Sequence, residues 1–252
     1  MGHRNLEVQL FDVNGRMWEL NNPRSAVRIV RGGWPELSAK MAATMRDGEP
    51  VKGRSRPVPG AATMTVGFYP GHYDLGEKRR LFRAGWANDD YCTAQVRRPG
   101  GVWHQARVRL PDDAALPGRE VATPDIFDTL AVPLAWDDGV WWVRVVDEGA
   151  TVVVRNDGLT PVVPSVRWDT GGRLGFPSGM SVTLPTVAGG RVLSLNRRRG
   201  FPVTDRDGAP DRDMQRRLWG KIVEEKIMPG ETGRFTLPPG ASLVWDMGVS
   251  EP

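Results

Sequence analysis

Between Gly149 and Val203, β-branched runs are cut repeatedly by turn residues, and this limits the possible folds more than any other feature. The stretch opens GATVVVRNDGLTPVVPSVRW and closes GGRVLSLNRRRGFPV, a pattern of short strands joined by tight loops. It reads as a strand ending in Asn156-Asp157-Gly158, a Pro-flanked apolar strand, two short segments, and a strand Arg191 to Asn196 with a charged turn behind it. No catalytic pattern appears in it.

The rest of the chain follows the same grammar. LEVQLFDV and RMWEL flank Asn14-Gly15, and Asn-Gly between alternating apolar residues signals a hairpin because both residues tolerate positive φ. Ala26 to Val30 and Ala62 to Tyr69 read as strands. Tyr91 to Val96 and Val102 to Leu110 form a hairpin around RRPGG, and AVPLAWDDGVWWVRVV gives two strands around Asp137-Asp138-Gly139. Arg31 to Gly60, broken by Pro and Gly, reads as a long loop, with a helical turn through Leu37 to Met45 suggested by the four-residue spacing of Leu37, Met41 and Met45. Pro111 to Ala122 reads as loop, and Pro124 to Leu130 as one helical turn or a bent strand.

Two helices are expected. Leu75, Leu81, Phe82 and Trp86 share one side of a wheel from Leu75 to Trp86, with Glu77, Lys78, Arg79, Arg80 and Arg83 opposite. Met214, Leu218 and Ile222, with Trp219 and Val223 alongside, outline a second from about Asp211 to Glu225, stopped by Pro229-Gly230. GRFTL, Pro238-Pro239-Gly240 and ASLVWDM then read as a closing antiparallel pair. The expected fold is mainly β: two β-sandwich or barrel-like domains, 1–148 and 149–252, each with about one α-helix, the boundary placed at DEGA (Asp147 to Ala150).

At 252 residues the chain can bury a sizeable core without disulfides. No apolar run approaches the roughly 20 residues of a membrane span. The N-terminal MGHRNLEVQLFDVNG lacks a secretory pattern, so a protein kept in a cytosol is expected. The single Cys92 excludes an intrachain disulfide and reads as a packed strand residue. Net charge is +4 with acids and bases interleaved, and no nucleic-acid recognition is expected; Arg197-Arg198-Arg199 beside Phe201 reads as a solvated hairpin tip.

Catalytic and metal patterns are weak. There is no Gly-x-Ser-x-Gly elbow and no phosphate loop. His3, His72 and His104 have no marked partners, and His104, among apolar neighbours, reads as a core or edge residue. Asp205, Asp207, Asp211 and Asp213 around Gly208 faintly echo a calcium loop but lack its terminal Glu, and the arginines between them suit a self-neutralised turn. Carboxylate pairs from Asp89, Asp90, Asp137 and Asp138 have no separation readable from sequence. No enzyme activity, cofactor or metal is expected. The ten tryptophans are the unusual feature of the composition. Trp fills cores and subunit contacts and can also stack on sugars, which makes Trp18, Trp103, Trp168 and Trp245 candidate interface or glycan contacts.

In order, FDVNGRMWEL, ATMTVGF, GEKRRLFRAGW, YCTAQVRRPGGVWHQARVRL, AVPLAWDDGVWW, VVVRNDGLTPVVPSV, GGRVLSLNRRRGFPVTDRDG and FTLPPGASLVW resemble the succession of elements in distal tail proteins and related minor tail proteins of long-tailed, siphovirus-type bacteriophages. Each motif is loose, and the specificity lies in their order, which covers nearly the whole chain. The resemblance implies a structural virion protein of the tail tip, made in the host cytoplasm. Its first domain would form a ring, commonly of six copies, and its second would be a galectin-like or carbohydrate-module-like sandwich. Implied partners are other copies of itself, the tail tube protein, and the tail-tip, baseplate and tape-measure proteins. The alternative is a minor tail protein whose second domain binds host cell-wall carbohydrate.

Overall fold

The computed structural model describes residues 6–35, 37–46, 49–71, 74–116 and 127–252. The fold is mainly β, as the alternation predicts. The chain divides into two units, Met1–Trp142 with Val249–Pro252, and Val143–Gly248. The division thus falls at Trp142/Val143, ahead of DEGA, and the last residues return to the first unit.

The first unit begins with β1 (Glu7–Phe11) and β2 (Met17–Glu19), joined by the expected turn. Only Gly15 takes positive φ there (75°). The turn is instead held by Asp12, whose buried carboxylate accepts from Asn14 N at 3.0 Å, Arg16 N at 2.9 Å and Trp18 Nε1 at 3.0 Å. Next come β3 (Val27–Ile29), β4 (Lys40–Arg46), β5 (Glu49–Val58) and β6 (Gly60–Phe68). The stretch expected as loop and helical turn is therefore a hairpin of β4 and β5, paired from Lys40↔Val58 to Arg46↔Glu49 with a shift between Ala43 and Met45. A spacing of four is compatible with both the helical period and an even multiple of the strand period, so Met41 and Met45 share a face either way.

Helix α1 (Leu75–Arg83) starts at Asp74, whose side chain accepts from Glu77 N at 3.0 Å. It ends before Trp86, and Arg79 is buried rather than on the outer face. Leu75, Arg79 and Phe82 recur at i, i+4 and i+7, and the Arg79 guanidinium lies 5.6 Å from the Phe68 ring.

Strands β7 (Cys92–Arg97), β8 (His104–Val108) and β9 (Asp128–Trp136) complete this unit. Residues 117–126, which include part of the expected loop and of the segment Pro124 to Leu130, lie outside the described residues, as do His3 and His72. One sheet runs β2-β1-β7-β8 and the other β3-β6-β9, the last pair in register from Gly60↔Trp136 to Phe68↔Asp128. Ile29 N donates to Leu20 O at 2.9 Å, and an Arg109↔Ala135 bridge links the opposite margin. The two sheets thus come close to a closed barrel, which removes free edges and encloses Leu10, Phe68, Phe82, Trp136 and Trp141.

Strand β10 (Trp141–Glu148) leads into the second unit, followed by β11 (Thr151–Arg155), β12 (Ser165–Trp168), β13 (Gly172–Gly175), β14 (Ser181–Leu184), β15 (Arg191–Ser194), β16 (Val203–Thr204), helix α2 (Arg212–Leu218), β17 (Thr232–Thr236) and β18 (Ser242–Val249). One sheet has the order β11-β17-β13-β14, and β16-β15-β12-β18-β10 forms the other. Inward residues alternate strictly: Val152 and Val154, Val166 and Trp168, Val182 and Leu184 all enter one core with Phe235 and Leu243. β17 and β18 lie in different sheets and do not form the expected antiparallel pair. Their Pro238-Pro239-Gly240 turn crosses the sandwich, with Leu237 N bonded to Ala150 O and Ala241 N to Pro238 O.

Helix α2 starts where expected, Asp211 accepting from Met214 N at 2.9 Å, but it ends at Leu218. Trp219 turns to an extended conformation (φ −57°, ψ 139°) and Gly220 to positive φ (74°), which no helix continues through. No helix among the described residues is long and apolar enough to cross a membrane.

Candidate functional site

Cys92 and His104 sit within the packed framework of the first unit. Cys92 is buried, its Sγ donating to Gly85 O at 3.3 Å, and burial pushes its thiol up to about 12, where it stays protonated and inert. Burial likewise holds the His104 imidazole below its ordinary value. Among the described residues no group of three His, Cys, Asp or Glu side chains is arranged to hold a metal. Asp205 instead binds backbone of its own turn, accepting from Asp207 N at 3.0 Å and Ala209 N at 2.8 Å, while Asp211 caps α2 and pairs with Arg191 at 2.6 Å.

Asp137 and Asp138 also serve the framework. Arg109 donates to Asp137 at 2.7 Å and Tyr91 Oη does so at 2.7 Å, while Arg107 grips Asp138 with two bonds of 2.9 and 2.7 Å. The Arg109 bond, then that of Tyr91, hold the Asp137 carboxyl below its ordinary 3.8. A carboxylate depressed in the folded state contributes stability that is complete above its unfolded pKa and fades as pH falls through the folded one. Thermal melts from pH 6 down to about 2 are therefore expected to show part of the acid destabilisation abolished in Asp137→Asn, which starts from a lower melting temperature at pH 6. Identical acid limbs in both proteins would remove Asp137 from this role.

The four candidate tryptophans divide unevenly. Trp18, Trp168 and Trp245 are buried in their own cores. Trp18 Nε1 donates to Asp12, and Trp168 Nε1 donates to Pro185 O at 2.9 Å. Trp103 is half-buried, with the Arg97 guanidinium 4.4 Å from its ring centroid and that arginine bonded to Glu7 at 2.7 Å. The exposed tryptophan is none of these four. Trp219 is 62% exposed, because the helix meant to fold it inward stops one residue earlier. Its Gly220 was the available signal, since a glycine just past a helical run marks a C-terminus.

A second unaccompanied feature is the β4–β5 hairpin. It forms a sheet of its own, every described side chain on it is exposed or half-buried, and Met41, Met45 and Val58 present apolar surface, Met45 at 57% exposure. A lone two-stranded hairpin is marginal in water.

Solved structures share this arrangement end to end. The phage P2 baseplate in its activated conformation with Ca contains a chain that matches with a TM-score of 0.54 at 10% identity, covering 98% of this chain and 99% of that one. The fold is that of phage baseplate and hub proteins. The phage p2 baseplate with Sr matches equally (0.54, 11% identity, 98% and 99% coverage). The SPP1 Dit (gp 19.1) protein, described as a paradigm of the hub adsorption apparatus in phages infecting Gram-positive hosts, matches at 0.51 with 11% identity over 96% of this chain and 98% of its own. At such identities the likeness is one of fold. No protein-family model and no curated relative matches the sequence.

Proposed function

We propose that this chain is a structural virion protein of a phage tail tip, a distal tail or adjacent minor tail protein that closes with copies of itself into a ring, six in number on the family pattern. The observation that supports this most is the likeness over nearly all of both chains to baseplate and hub proteins. In the virion the ring would join the tail tube to the baseplate, tip and tape-measure proteins after assembly in the host cytoplasm. No covalent chemistry enters the role.

The β4–β5 arm suits such a ring. Its longer strand, ten residues, reaches about 33 Å at the rise of a β-strand, enough to lie across a neighbouring copy. A head-to-tail contact of this kind closes by rotation and covers what each subunit leaves open. Lys40 and Val58 are paired neighbours at the arm's base, so a short Gly/Ser turn can replace residues 41–57 without disturbing the barrel. Native mass spectrometry and negative-stain images of the full chain are expected to show rings or higher oligomers, and the arm-deleted protein a folded monomer. A monodisperse full-length monomer at high concentration would refute the ring, and rings from the deleted protein would refute the arm's part in it.

A further inference from the structure

Trp219 stands in a cleft of about 430 Å³ on the second unit, lined by Arg197, Phe201, Ile222, Val223 and Glu224. Phe201 is the only non-glycine among the described residues with positive φ (52°), a strained conformation that persists only when its surroundings impose it. Those surroundings are visible: Phe201 N donates to Asn196 O at 3.1 Å, and Gln215 of α2 donates to Gly200 O at 2.7 Å, pinning the loop against the helix. The result is an aromatic corner, with the rings of Phe201 and Trp219 6.5 Å apart and inclined at 73°.

The walls of the corner are polar. Glu224 accepts from Arg197 N at 3.2 Å and from Lys226 Nζ at 2.9 Å, and chiefly the Lys226 bond keeps its carboxyl below the usual range. A carboxylate has about four acceptor positions, so it can still accept hydrogen bonds from a ligand's hydroxyls. The exposed Arg197 offers donors from the same side. A flat aromatic face beside one acceptor and one donor matches a pyranose ring, whose C–H face is apolar and whose rim carries hydroxyls that both give and receive hydrogen bonds. The volume lies at the low end of small-ligand clefts, and the surrounding Arg198, Arg199 and Lys221 are charged and exposed, unlike the broad apolar core of a stable protein contact. A single-stranded nucleic acid would use the ring and the arginines, but its phosphates would meet the ionised Glu224.

We propose that this cleft binds a neutral saccharide, one ring stacked on Trp219 against Phe201 and hydrogen-bonded to Glu224 and Arg197. The site is separate from Trp168 and Trp245, whose rings are enclosed, and the proposal is independent of ring assembly.

Saturation-transfer NMR and calorimetry on the full chain, with cellohexaose, chitohexaose, mannohexaose and a galacto-oligosaccharide as probes, test it. At least one is expected to bind saturably, with transfer strongest to the protons of one sugar face. Loss of the stack in Trp219→Ala should weaken binding about tenfold or more, and Glu224→Gln, which keeps the shape but loses the charge, should weaken it as well. Trp219 is largely exposed, so Trp219→Ala should melt like the parent, and Trp168→Phe should still bind. Absence of binding to all four probes, or binding that survives Trp219→Ala, overturns the proposal. Tighter binding of an oligothymidylate than of any sugar would also overturn it in favour of nucleic acid.

Discussion

Truncating Trp141 to alanine is expected to lower the stability of the first unit by about 3–5 kcal/mol, the range for emptying a fully packed aromatic site. The indole is 0% exposed, its ring lies 6.0 Å from that of Trp136 and 6.4 Å from that of Trp34, and its Nε1 donates to Leu37 O at 2.7 Å. Two losses therefore add: the void left by the ring, and a carbonyl with no partner. Trp141→Phe separates them, since it keeps most of the ring and strands only Leu37 O, for an expected loss of about 1–3 kcal/mol. Urea unfolding followed by circular dichroism measures both, and an unchanged slope would assign the shift to stability itself. A loss below about 1 kcal/mol for the alanine variant would mean that the site collapses around the vacancy.

In the second unit the largest effect is expected at Asn156, a polar residue with 0% exposure. Its side chain accepts from Gly158 N at 3.0 Å and donates to Thr160 O and Ile227 O, both at 2.8 Å. It thereby ties the end of β11 to the segment after α2. Asn156→Ala takes the partner from Gly158 N and from Thr160 O and leaves Ile227 O with only its bond from Val162 N, at an expected cost of about 2–4 kcal/mol. Asn156→Asp is nearly the same size, yet its added oxygen faces two carbonyl oxygens and its charge is buried. It should destabilise at least as much as the alanine variant at neutral pH and recover in part as acid protonates it. Equal stability of Asn156→Asp and the parent at pH 7 would contradict this arrangement. Gly158 is held as tightly, because a Cβ there would lie 2.6 Å from Gly248 O, so Gly158→Ala joins the same group of damaging changes.

The sequence marked Asn156-Asp157-Gly158 as the turn ending a strand, and a turn is there; it did not reveal that the asparagine faces inward. The same contrast recurs in the candidate site. Trp168 and Trp245 looked like platforms because Trp on an alternating strand has a side, but alternation does not say which side is wet. Both face the sandwich interior. Trp219 looked like part of a helix's apolar stripe, and one backbone rotation after Leu218 turned it to solvent.

Where the chain turns, where helices begin and which residues share a strand face follow from interactions within a few residues. The positive φ of Gly15 and Gly139, the carboxylate caps of Asp74 and Asp211, and the in-out rhythm of β11 and β14 are all of this kind, and each was legible from neighbouring letters. Partner choice was not. That β17 and β18 enter opposite sheets, that Met41 pairs across to Pro57 in a strand, and that the Asn156 side chain meets Ile227 O depend on groups well separated in the chain. A period of two or four records only the direction of a side chain; what it meets there depends on how much surface the assembled sheets remove from water.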